Sequence, residues 1–192
     1  ATFFYWTRKL QGRWFCGDID EAVRAAENAD RLLWTSPSQL ETADFFFYGA
    51  LAHAAQWHRV PAEQRQYHLD MVVRYHRQLE TWRNDCSVEN FENRAVLIAA
   101  EIARIDGHWP QAEHLYEHAV RSASMNGYVH IEAVAHECAA SAYLARGLER
   151  AARGYLRDAQ ACYRRWGANG KVRQLSRLHP WLEIPTTGPD AT

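Results

Sequence analysis

Three residues near the middle of the chain have the spacing of a reactive centre. His114 and His118 stand one helical turn apart with Glu117 between them. A helix with this pattern can hold zinc through two imidazoles while the carboxylate activates water, so one reading of the chain is a zinc-dependent hydrolase that uses His114, Glu117 and His118. A five-residue match arises easily by chance. The reading therefore turns on which way the three side chains face, and that is set by the helix that carries them.

Other reactive types are thinly placed. His136-Glu137 has the dipeptide form found around the phosphoacceptor of sensor kinases but lacks the proline and basic residue that follow it there, which leaves a core or groove histidine. Gly170-Lys171 has neither the earlier glycine nor the following Ser or Thr of a phosphate-cradling loop. No serine sits in a GxSxG turn, and Cys16, Cys86, Cys138 and Cys162 are scattered without a CxxC pair, as expected for reduced thiols on helices. The expectation is a chain with no catalytic residue, no cofactor and no metal ligand.

The chain has 192 residues, 47% of them hydrophobic and 23% charged. That composition belongs to a folded domain rather than a disordered segment. With 22 Lys and Arg against 23 Asp and Glu, the net charge is -1. No general basic field exists to displace counterions from a phosphate backbone, so nucleic acid is not the expected partner. No run approaches the roughly twenty apolar residues of a membrane-crossing helix, and no leader pattern opens the chain. Membrane insertion is therefore not expected, and a cytoplasmic location is. The start lacks a methionine and runs into Phe3, Phe4, Tyr5 and Trp6. It reads as a piece of something longer, whose exposed Phe3 and Trp6 could pair two copies into a homodimer.

The helices that would position any site are legible as a repeat. Gly107 and Gly147 each close a run rich in Ala, Leu, Ile and Val, and they lie 40 residues apart. After each glycine comes a second run with small and bulky residues on one face: Ala112, Tyr116 and Ala119, then Ala152, Leu156 and Ala159. Two antiparallel helices approach closely where small side chains meet and a larger one fills the next turn. Ala100 and Ala140 take the matching place on the first helices, and a fainter copy opens the chain at Gly17, Ala22, Ala26 and Ala29. This is tetratricopeptide logic, with a repeat longer than the usual 34 residues. The expected fold is all-α, a tetratricopeptide-like right-handed superhelix of about four antiparallel helical hairpins. It occupies 1–183 as one domain, and 184–192 reads as a linker-like tail.

Start and stop signals mark the elements. Asp18 with Glu21, and Ser38 with Glu41, have capping-box spacing, Pro61 and Pro110 suit first helical positions, and Pro37 follows a helix end. Asn126-Gly127 and Gly167 are terminators. Eight helices result, with a looser hairpin at 38–82 and a short closing helix at 171–178. In this register Tyr116 and Ala119 face inward, which turns His114, Glu117 and His118 to solvent. The concave side then carries Arg94, Leu97, Glu101, Arg104, Glu137 and Ser141, a mixed-charge groove suited to a peptide or a neighbouring domain. It lacks the Lys and Asn clamp that grips a chaperone's terminal carboxylate. Phe45 to Tyr48, four aromatics in succession, must cover every side of a helix, so one or two should reach a neighbouring hairpin or a partner.

Several of these segments resemble one family. The runs Glu137 to Gly147, Ala152 to Ala168 and Lys171 to Leu175, together with Phe45 to Ala55 and Glu89 to Gly107, are similar to a helical region of very large bacterial signalling proteins. Such proteins combine a Ser/Thr-kinase-like domain, an ATPase module, a tetratricopeptide-like region, a GAF domain and often a sensor histidine kinase of the two-component type. The likeness covers about residues 36–178, and Tyr-Arg-Arg-Trp-Gly-Ala at 163–168 is its most distinctive part. The resemblance implies a non-catalytic protein-interaction and signal-coupling scaffold segment, partnered by neighbouring domains or another protein. The alternative is an effector-sensing tetratricopeptide-like domain of a LuxR-type ATP-dependent transcription activator. A GAF domain next along the parent chain would favour the first, a helix-turn-helix the second.

Overall fold

The helices form where small and apolar residues recur at helical spacing, and five of them stop at a glycine in the left-handed region, Gly17, Gly107, Gly127, Gly147 or Gly167. A computed structural model describes residues 2–36 and 40–183. Among these residues there are nine α-helices and no strand, and the helices fall into two compact units, Ala1–Asn126 and Gly127–Thr192. The first unit contains α1 (Phe3–Cys16), α2 (Ile19–Asp30), α3 (Leu40–Gln56), α4 (Ala62–Asp85), α5 (Val88–Ile105) and α6 (Trp109–Met125). The second contains α7 (Val129–Ala145), α8 (Glu149–Trp166) and α9 (Asn169–Leu178). Single 3-10 turns lie at Leu33–Thr35 and Pro180–Glu183.

Short connections make hairpins of α1/α2, α3/α4, α5/α6 and α7/α8, each packed on its partner. The 40-residue interval is present, since α6 begins at Trp109 and α8 at Glu149. Gly107 and Gly147 close α5 and α7 at φ 76° and 73°, a left-handed conformation that costs glycine little and other residues more. The Gly107 N–H donates to the Arg104 carbonyl (3.2 Å) and the His108 N–H to the Ala103 carbonyl (2.8 Å); Gly147 and Leu148 donate likewise to Leu144 and Tyr143, both at 2.9 Å. Those bonds satisfy carbonyls that a helix end leaves open. Ala112, Tyr116, Ala119, Ala152, Leu156, Ala159, Ala100 and Ala140 are all buried, as are Ala22, Ala26 and Ala29 of the fainter copy.

Within the first unit α3 is enclosed by α1, α2, α4 and α5. All four of its successive aromatics are buried. Phe45 meets Phe3 of α1 and Tyr75 of α4, Phe46 meets Trp82, and Tyr48 lies against Trp14 and Phe15. Such edge-on and tilted ring pairs add about 0.5–1.5 kcal/mol each beyond the area they bury. Phe47 lies beneath the Arg94 guanidinium of α5.

Several expectations are corrected in detail. Phe3 is not exposed: it packs edge-on to Phe45 at 5.5 Å, and the exposed rings of that turn are Phe4 and Tyr5. Asp18 occupies the N-cap of α2 without making a side-chain cap, because its carboxylate turns to Arg13 at 3.0 Å. Glu21 is held instead by Lys9 and Arg24. Pro61 precedes α4 by one residue. A cap that is not among the sequence expectations forms at Ser87, whose hydroxyl accepts the Asn90 N–H at the start of α5 (3.2 Å). Pro37, Ser38 and the tail 184–192 lie outside the described residues.

One glycine serves close approach rather than turning. A Cβ placed on Gly49 would stand 2.8 Å from Cε2 of the buried Tyr75 ring. Alanine usually stabilises a helix interior by up to about 1 kcal/mol relative to glycine. At position 49 overpacking against a fixed ring outweighs that gain. Gly49→Ala is expected to destabilise the chain by about 1–2 kcal/mol in urea unfolding, and a stability gain would show that the ring can move aside.

Candidate functional site

The residues expected to line a groove lie mostly inside the protein. Arg94, Leu97, Glu101 and Arg104 share one face of α5, and all four are buried. That face is covered because α5 is packed by α3, α4 and α6 within its own unit. Arg94 donates to the Asn90 carbonyl (3.0 Å) and to Asn93 Oδ1 (3.2 Å). Of the other two, Glu137 is half-buried and Ser141 is exposed. The expected open groove is therefore replaced over four of its six positions by helix–helix seams.

Glu101 is the centre of the seam. Its carboxylate accepts Nε and Nη2 of Arg104 at 3.0 and 2.6 Å, and the Tyr116 hydroxyl of α6 donates to it at 2.6 Å. Arg104 also donates to the Ala54 carbonyl in the last turn of α3 (3.3 Å) and contacts His58 Nε2. Burial, then the adjacent Arg104 charge, lowers the His58 pKa, which keeps the ring neutral and able to accept from a guanidinium. Glu101 and Arg104 together thus tie α5 to α6 and to α3. In the second unit Glu137 plays a comparable part, accepting the Tyr163 hydroxyl of α8 (2.6 Å) and pairing with Lys171 of α9 (2.6 Å).

A second buried cluster was not anticipated. His53 of α3 and His68 of α4 bring their Nδ1 atoms to 2.9 Å, an arrangement that requires a proton on one nitrogen and a lone pair on the other. His53 is fully buried between Tyr67 and Tyr75, and desolvation, reinforced by His68, lowers its pKa to about 3. Burial also lowers the His68 pKa, against the opposing field of Glu27. Beside the pair opens a cleft of about 530 Å³, lined by Asp20, Glu27, Gln56, Glu63, Tyr67 and His68. The Tyr67 hydroxyl donates to Glu27 (3.2 Å), and Arg74 grips Asp30 through two bonds of 2.9 Å. Nothing in the sequence paired His53 with His68, since each stands alone in an apolar or polar run.

The His114, Glu117 and His118 motif is carried on the outside of α6, as its register required: His114 and Glu117 are exposed and His118 is half-exposed. The two histidines line a shallow hollow of about 260 Å³ with Glu92, whose carboxylate stands 3.5 Å from His118 Nε2 and accepts the Ser122 hydroxyl (2.7 Å). His136 is buried beside the Tyr155 ring. Its imidazole, the Glu132 carboxylate and the Cys162 thiol each place a ligand atom within 4.8 Å of the other two. Against family models, curated proteins and solved structures, the chain finds no match.

Two outcomes test these networks. Glu101→Ala would leave the buried Arg104 guanidinium without its counter-charge, and a loss of about 3–5 kcal/mol is expected in urea unfolding; a loss below 1 kcal/mol would place the charge in water. The histidine pair fixes a pH response. An unfolded histidine titrates near 6.5 while folded His53 titrates at about 3. Between those values the unfolded chain binds a proton that the folded chain refuses, so stability is full above pH 6.5 and falls as pH falls. At pH 5 the loss from His53 alone is about 2 kcal/mol. The slope of unfolding free energy against pH should flatten in His53→Gln, and an unchanged slope would refute the assignment.

Proposed function

We propose that the chain is a non-catalytic protein-interaction and signal-coupling scaffold segment of a multidomain, ATP-binding, intracellular signalling kinase, with hairpins stacked in right-handed tetratricopeptide fashion. The observation that carries this reading is the hairpin repeat. Equivalent helices 40 residues apart bury equivalent small residues, Ala112 and Ala152 and then Ala119 and Ala159, all at 0% exposure. Repeats of this kind pack each unit on its neighbours and bend collectively. Glu101 and Glu137 support the coupling part of the proposal, because each ties successive helices through buried or half-buried bonds. A shift of one helix is then felt by the next. The signalling part rests on the resemblance of the segments around 45–55, 89–107 and 137–175 to the helical region of such kinases.

A second reading, an effector-sensing domain of a LuxR-type activator, draws on the cleft beside His68. Its volume of about 530 Å³ lies in the range of small-molecule pockets.

Hydrogen exchange measured on the chain alone and joined to its flanking domains tests the proposal. Slower exchange is expected in the joined protein on helices bearing exposed apolar residues, such as Met125 at the end of α6, which is 80% exposed. Identical exchange in both samples would defeat the scaffold reading. A response confined to α2 and α4 on adding a small effector would favour the second.

A further inference from the structure

We infer that Glu132, His136 and Cys162 form a binding site for a borderline divalent cation, Zn²⁺ foremost, which staples α7 to α8. Glu132 and His136 are four residues apart and so share one face of α7. Cys162 projects from α8 against that face. The three ligand atoms lie within 4.8 Å of one another, which among the described residues is the one group of three or more such side chains so converged. Zinc bound at about 2.0–2.3 Å by oxygen, nitrogen and sulfur requires ligand separations somewhat shorter than this.

The donor set selects the ion class. One thiolate, one imidazole and one carboxylate suit Zn²⁺ and fit poorly to Mg²⁺ or Ca²⁺, which demand oxygen throughout. All three side chains are buried, Glu132 at 7%, His136 at 8% and Cys162 at 3% exposure. Three protein ligands leave one tetrahedral position for water or an incoming donor. The Glu132 Oε2 atom accepts Arg165 Nη2 at 3.0 Å, an outer contact of the kind that orients a ligating carboxylate.

The metal is bound by the Cys162 thiolate, not the thiol. On binding, the S–H bond breaks, sulfur donates its electron pair to the metal and one proton passes to solvent. The two negative ligands then offset the dication, while Glu132 keeps its contact with Arg165. The site is built wholly from residues of the second unit, and it is additional to the scaffold role, since it stabilises one hairpin whatever that hairpin holds.

The test uses the whole chain freed of metal. Titration with Co²⁺ should give one equivalent bound with a thiolate-to-cobalt charge-transfer band. Zn²⁺ should displace the cobalt and raise the thermal midpoint. Cys162→Ser should abolish the band, and His136→Ala should weaken binding by more than the roughly 10–100-fold that loss of an outer contact costs, while His114→Ala/His118→Ala leaves both unchanged. In the unaltered protein, Zn²⁺ should slow alkylation of Cys162, read by peptide mass mapping, without slowing that of the exposed Cys16 and Cys86. Absence of the band with Cys162 alkylated at the same rate with and without Zn²⁺, or binding lost only in the His114→Ala/His118→Ala variant, would overturn the assignment.

Discussion

The enclosure of α3 organises the first unit. A helix with four consecutive aromatics has no side that can face water, so α1, α2, α4 and α5 must close around it. Gly49 lets the Tyr75 ring of α4 press against its backbone. The same enclosure carries His53 out of water and forces it to remain neutral beside His68. At the far end of α3, the carbonyls of the last turn lack intrahelical donors and present the negative end of the helix dipole. Arg104 answers that need at Ala54, and Glu101 balances the charge thereby buried. The polar seam is thus a consequence of the aromatic helix rather than a separate feature.

The second unit uses smaller parts. The inner faces of α7 and α8 are lined with alanines, including Ala133, Ala139, Ala140, Ala152 and Ala159, all fully buried. Close approach brings polar residues of the two helices within bonding distance. Glu137 reaches Tyr163, and Glu132 reaches Arg165 and lies beside Cys162. A buried carboxylate is costly unless hydrogen-bonded or paired, and each of these acids is matched by a phenol, a cation or both.

Much of the fold was legible in the sequence because glycines, prolines and the small-residue face act locally. Gly107 and Gly147 end helices through their own backbone freedom, and Ala112, Tyr116 and Ala119 share a face by helical arithmetic alone. Phe45 to Tyr48 likewise announced a helix that must be covered all round. Asp18 shows where local reasoning stops: its capping spacing is real, but Arg13, held near by the turn at Gly17, competes for the same carboxylate. The burial of Phe3 is not local either, since it depends on Phe45, forty-two positions away.

The candidate sites divide in the same way. The sequence alone determined that His114, Glu117 and His118 share a face opposite Tyr116 and Ala119, because both facts follow from one helix's periodicity. It also put Arg94, Leu97, Glu101 and Arg104 on a common face, but not what lies over that face. Only the tertiary structure decided that it is a seam bonded to Tyr116 and the end of α3, and only there do His53 and His68, or Cys162 with Glu132 and His136, come together. Periodicity fixes the direction of a side chain within its own helix; which neighbour fills that direction depends on how separate helices pack, and no local spacing encodes it.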